Sequence, residues 1–177
     1  MIESRYWKDD LLKHAKKLKP VKHPKRWSEK GQVNFEKEII VSFFKIRKLF
    51  ETNKVSSISK KHKVKIFRYP IGSKKVNNMN YWNIHEIYDL AKKSNVEKNI
   101  VFICNQLIHG GATFAFQDND KNWGGIFTCS DFERGRYIYE IPIEEIITIF
   151  NLVGNDYPNH VTFTYSKELG DYEIETD

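Results

Sequence analysis

At Gly110 and Gly111 the apolar rhythm of this 177-residue chain changes, and that change constrains the fold more than any other feature. Upstream, apolar residues recur at the three- and four-residue spacings of a helix. Downstream, ATFAF, GIFTC and RYIYEI alternate with the two-residue period of half-buried strands, separated by the turn sequences DNDKNWGG and ERGR. Helices first and then mainly strands predict an α+β architecture: N-terminal helices followed by a mainly antiparallel sheet with helices packed on one face.

Local signals predict the individual elements. Trp7, Leu11, Ala15 and Leu18 share one face of a helix from Ser4 to Leu18, with Lys13, Lys16 and Lys17 opposite and Pro20 ending it. Residues 19 to 32, rich in proline and lysine, read as a connector. Asn34 is placed to cap a longer helix to about Asn53, carrying Phe35, Ile39, Phe43, Ile46 and Phe50. The segment SISKKHKVKIFRYP reads as a strand stopped by Pro70, and its lysines suit a sheet edge.

Asn83 starts a short helix to about Lys93, and Ser94 with Glu97 has the form of a capping box that restarts a helix ending before Gly110. Pro142 opens a helix carrying Ile143, Ile146, Ile147, Phe150 and Val153, followed by Gly154, and VTFTYSKELGDYEIET closes as a hairpin. The expected organisation is a basic helix-and-connector arm over residues 1–32 and one α+β domain over 33–177, a size that suits a single core.

Charge divides the chain by position. Residues 1–75 hold 22 Lys+Arg against 7 Asp+Glu, and residues 76–177 hold 7 against 16, so a net +6 is composed of +15 and −9. Clustered cations attract polyanions, which makes the basic part the first candidate for function. Lys13, Lys16, Lys17, Lys19, Lys22, Lys25 and Arg26 lie close together between Trp7 and Trp27, and Lys60, Lys61, Lys63, Lys74 and Lys75 form a second group. Lysine and arginine neutralise phosphates and release counterions, while an open indole gives an unpaired base a stacking surface. RNA or single-stranded DNA fits these residue types. An acidic protein, or the acidic half of a second copy, fits the same charge.

The second candidate is the helix ending CNQLIHGG, where Asn105 and His109 are i, i+4 neighbours. An imidazole beside an amide can orient a ribose hydroxyl or phosphate and exchange a proton near neutral pH. Cys104, Asn105 and His109 resemble, over six residues, the Arg-Asn-x-x-x-His motif of HEPN ribonucleases, with Cys104 standing in the arginine position. The resemblance implies RNA cleavage on a helical bundle, or, without the arginine, a remnant that only binds.

Other signals point to structure. Asp118, Asp120 and Asn122 begin like a calcium loop, but Trp123 occupies its glycine position and Cys129 its final glutamate position, so a hairpin turn is expected. Asp131, Glu133, Arg134 and Arg136 could form a polar site between strands. A nucleophilic Cys129 would need His109 or His160 brought to it by the fold, and a buried strand cysteine is expected instead. No histidine pair has metal-ligand spacing, no glycine-rich phosphate loop occurs, and no cofactor is expected. Two cysteines without paired spacing and no apolar run of membrane length lead to the expectation of a cytoplasmic protein with no membrane contact.

These observations converge on a non-catalytic binding or accessory module that meets nucleic acid or an acidic protein through its basic N-terminal surface. The alternatives are an RNA-processing enzyme centred on Asn105 and His109, and an assembly protein whose basic and acidic halves pair between subunits as a homo-oligomer.

Overall fold

A computed structural model of the chain describes residues 3–19 and 27–177. Two helices, α1 (Arg5–Leu18) and α2 (Glu29–Glu51), precede a short α3 (Ser57–Lys61) and strand β1 (Lys63–Pro70). After α4 (Ile84–Ile87) come β2 (Ser94–Asn99) and α5 (Ile100–Ile108). A meander of β3 (Ala112–Gln117), β4 (Trp123–Cys129) and β5 (Tyr137–Pro142) then leads into α6 (Ile143–Asn155) and the hairpin β6 (Val161–Ser166) and β7 (Asp171–Thr176). The fold is α+β. A five-stranded antiparallel sheet has the order β2-β1-β5-β4-β3, and β6 and β7 form a separate two-stranded sheet. Among the described residues no helix is long and apolar enough to cross a membrane.

Strand alternation divides the five-stranded sheet into two faces. Val64, Ile66, Ile126, Tyr139 and Ile141 point to the helices, where they meet Phe43 and Ile46 of α2, Ile103 of α5 and Phe150 of α6. Tyr69, Ile138 and Cys129 point the other way, into a smaller cluster with Ile84, Ile87 and Tyr88. The apolar stripes predicted for the longer helices are therefore the core stripes.

Helix α1, the helix of the basic N-terminal arm, packs into that core through its predicted apolar stripe. Leu11 and Ala15 are buried, and so is Lys8, whose ammonium donates to the Lys54 carbonyl at 2.7 Å and to the Asp156 carbonyl. Gly154 lies inside α6 instead of after it. A β-carbon there would stand 2.7 Å from Leu12 and 3.3 Å from the Lys8 carbonyl oxygen, so the missing side chain lets α1 pass close to α6.

Several starts and ends differ from their sequence signals. Ser28, not Asn34, caps α2, its side chain accepting from the Gly31 N–H at 3.2 Å. Ser57–Lys61 is a helical turn, capped by Ser56, that delays β1. Strand β1 is not an edge, because it pairs with β2 on one side and β5 on the other. Its neighbour β2 is the segment read as a capping box. There Ser94 and Glu97 lie opposite Arg68 and Lys65, and Asn99 is the residue that caps α5, accepting from Phe102 N–H at 2.8 Å. The helix expected from Asn83 to Lys93 is reduced to α4, since Gly72 N–H donates to Ile87 O and Asp89 N–H to Pro70 O, binding this stretch across the end of β1.

The hairpin is amphipathic in an unusual direction. Its register puts Val161, Phe163 and Tyr165 on the same face as Tyr172 and Ile174, and all five are exposed. Its other face carries threonines opposite Glu173 and Glu175.

Candidate functional site

Helices α1 and α2 enclose a cleft of about 350 Å³ lined by Lys13, Lys17, Lys37 and Lys45, with Asp10, Glu38, His14 and Ser42. Four lysines against two carboxylates leave this lining at +2, with the imidazole neutral. The two carboxylates are engaged: Lys17 Nζ lies 2.6 and 2.8 Å from the Glu38 oxygens, and Lys45 Nζ lies 2.7 Å from Asp10. The Lys45 hydrogen bond, outweighing partial burial, draws the Asp10 carboxyl below its ordinary range. Among the described residues Lys13 and Lys37 make no ion pair.

His14 forms the floor of the cleft. Its ring packs 5.2 Å from that of Phe150, its Nδ1 lies 2.9 Å from Ser42 Oγ, and its side chain is 9% exposed. Nε2 has no hydrogen-bond partner; a Glu38 carboxylate oxygen lies 3.4 Å away. Burial lowers the imidazole pKa, against a smaller opposing pull from Glu38, and so favours the neutral ring.

The other basic candidates among the described residues do not line that cleft. Lys16 and Lys19 are exposed on and just beyond α1, while Lys22, Lys25 and Arg26 lie outside the described residues. Trp7 is half-buried against the core, so its indole is committed to packing instead of standing open to a base. Trp27 lies 4.9 Å from Trp123, which stacks on Phe35 at 4.2 Å, and it remains 38% exposed. Lys60, whose ammonium is bonded to Asn53 at 2.9 Å, and the exposed Lys61 and Lys63 belong to α3 and β1 and do not line the cleft. Lys74 pairs with Glu86.

A second groove, of about 870 Å³, brings together two candidates that are separate in sequence. Asn105 and His109 line it from α5, Asp131 and Glu133 from the β4–β5 loop, and Arg47 from α2. The Arg47 guanidinium donates to Asn105 Oδ1 at 2.8 Å and also holds Glu51 at 2.8 Å. His109 is exposed at the C-terminal end of α5, where its backbone N–H donates to Asn105 O. Glu133 accepts from the Tyr139 hydroxyl at 2.8 Å, and burial with that bond raises the phenol's pKa.

Cys104, in the arginine position of the HEPN-like motif, is wholly buried, and desolvation pushes its thiol up to about 12. The five-stranded sheet is also unlike a helical bundle, so the fold implied by that resemblance is not the one adopted.

Two other sequence signals resolve as structure. Asp118 Oδ1 accepts from Asp120 N–H at 2.9 Å and Asn122 N–H at 2.8 Å, building the β3–β4 turn from the calcium-like sequence. Cys129 is buried at the end of β4, 3.6 Å from the Tyr88 hydroxyl; burial raises its thiol pKa, and the cavity beside it is lined by no histidine. His160 is at the hairpin base, where its backbone N–H donates to Asp177.

Sequence reading missed three polar positions that matter to the architecture. Tyr69 donates to Glu140, which Lys93 also holds at 2.9 Å; Gln106 accepts from Ser130 N–H at 2.8 Å; and His14 sits in the cleft. Only His14 left a trace in the sequence, as a polar residue among the apolar positions of α1.

No protein-family model, curated protein or solved structure matches this chain.

Proposed function

We propose that this protein is a binding module for single-stranded nucleic acid, contacted through the basic face of α1 and α2. The observation that supports this reading most is the lysine-lined cleft, where Lys13 and Lys37 stand without ion-pair partners among the described residues. Such cations are available to phosphates, and neutralising phosphates supplies most of the affinity of sequence-independent binding. Lys16 and Lys19 extend the same field along α1. Base stacking contributes less than the sequence suggests, because Trp7 is packed away.

The test is the affinity for short single-stranded RNA and DNA as salt is raised. Binding should weaken steeply, and a Lys13→Glu/Lys37→Glu variant should lower the salt slope by about 1.4, roughly 0.7 for each phosphate of a single strand no longer neutralised. No detectable affinity at low salt overturns the reading. Copurification of an acidic protein, or salt-sensitive self-association without nucleic acid, would favour the protein-facing alternatives.

A second reading, RNA processing in the Asn105–His109 groove, is favoured by one observation. Arg47 supplies from α2 the guanidinium that the α5 motif lacks, hydrogen-bonded to Asn105. In that role His109 would exchange the proton and Arg47 would steady the phosphate. Cleavage of RNA without added metal, lost in His109→Ala, would support it; an intact substrate after incubation with the unaltered protein ends it.

A further inference from the structure

We infer that the α1–α2 cleft seats one phosphate group, and that Glu38 occupies its place when the cleft is empty of ligand. The inference rests on the nucleic-acid reading above and specifies where a phosphate of the polyanion sits.

The argument begins with His14. A neutral imidazole has one N–H, and its position follows from the neighbours of both nitrogens. Were the hydrogen on Nδ1, the Nε2 lone pair would face the Glu38 carboxylate at 3.4 Å, an electrostatic repulsion. The network therefore assigns Nδ1 as acceptor from the Ser42 hydroxyl and Nε2 as the donor. That donor is buried and unsatisfied, and buried donors seldom stay so without a ligand or water to receive them.

Glu38 approximates the missing acceptor without completing the bond. Its carboxylate is bound to Lys17 by both oxygens and stops 3.4 Å from Nε2, so one negative group already lies between a lysine and an N–H donor. The phosphate of a nucleic-acid backbone offers two non-bridging oxygens set tetrahedrally about phosphorus, each able to accept more than one hydrogen bond, and a terminal or inorganic phosphate offers three or four. Either can accept from Lys17 and His14 together and still accept from Lys13 and Lys37 at the mouth. Glu38 is 39% exposed, which lets it turn out to solvent as the phosphate enters.

Glu38→Gln and His14→Ala test this against a short single-stranded RNA oligonucleotide and, separately, inorganic phosphate. Removing the competing charge in Glu38→Gln should tighten oligonucleotide binding severalfold, and removing the donor in His14→Ala should weaken it severalfold. Because the His14 ring also packs on Phe150, the unaltered protein supplies an independent readout: the His14 Nε2 resonance should shift as either ligand is added. If the oligonucleotide binds equally to the unaltered and Glu38→Gln proteins and His14 does not respond, the seat is wrong while the nucleic-acid reading stands. If no oligonucleotide binds, that reading fails. Inorganic phosphate then decides the cleft, a His14 shift retaining it as a site for free phosphate and a silent resonance overturning it.

Discussion

The Glu36 carboxylate on α2 accepts the N–H of Ala115 at 2.9 Å, closing part of the outer edge of β3 with a side chain from the helix layer. Burial raises the Glu36 pKa, against a smaller opposing effect of that hydrogen bond. A carboxyl raised in the folded state favours folding below its unfolded pKa of about 4.5 and loses that advantage as pH rises through the folded value. Glu36→Gln keeps the acceptor and removes the charge, so it should match or exceed the parent in melting temperature at neutral pH. Its advantage should vanish in acid. Glu36→Ala, which strands the Ala115 amide, should cost about 0.5–1.5 kcal/mol in denaturant unfolding.

Lys8 ties α1 to two chain segments at once through the carbonyls of Lys54 and Asp156, with its ammonium 3.8 Å from the centre of the Tyr157 ring. Lys8→Ala leaves two acceptors without their charged donor and opens a void, and should destabilise by about 2–4 kcal/mol. Lys8→Met, which restores volume but not hydrogen bonds, should recover only part of that loss in the same urea titration.

Three phenols resist ionisation in the fold. Burial is the main cause for Tyr69, Tyr88 and Tyr139, reinforced by hydrogen bonds to Glu140, Cys129 and Glu133 respectively. Their stabilising contribution is complete below the unfolded pKa of about 10 and falls away as pH climbs above it. In alkali, phenolate absorbance from these three should appear together with loss of the circular dichroism of the fold. A variant with phenylalanine at all three positions should form the same number of phenolates before unfolding as the parent; more phenolates in the parent's folded state would refute the assignment.

Gly154 separates two effects that usually travel together. Alanine gains up to about 1 kcal/mol of helix propensity over glycine, but its β-carbon meets Leu12 at 2.7 Å, so Gly154→Ala should be close to neutral as Leu12 shifts. Gly154→Val adds branches that cannot clear both Leu12 and the Lys8 carbonyl. It should destabilise by about 1–3 kcal/mol, measured by thermal unfolding.

The helices α1, α2 and α6 and the meander β3–β5 were legible because each buries one regular stripe. Strand β2 was not. Its SNVEKN sequence contains a single apolar residue, and its conformation is decided by pairing with β1, which a local pattern cannot express. The groove was half legible: Asn105 and His109 are helical neighbours by spacing alone, whereas Arg47 reaches Asn105 from 58 residues away. The cleft was legible as charge but not as shape. Lys13 and Lys17 were visible as a basic face, yet Lys37 and Lys45 joined them only because α2 lies alongside α1, and the role of His14 depends on Ser42 and Glu38 across that interface.

The β6–β7 hairpin is fastened to the body through Thr176, whose N–H donates to Ser57 Oγ at 3.1 Å and whose hydroxyl donates to Val55 O at 2.9 Å. Two strands alone are marginal in water, and almost none of the shared core would be disturbed if these two came apart. A protease would therefore find its first foothold there, well before any strand of the larger sheet opened. Because the α1–α2 cleft draws no residue from the hairpin, a nicked molecule would keep the cleft lysines in place, and the wear of the hairpin would run on a different clock from that of the cleft.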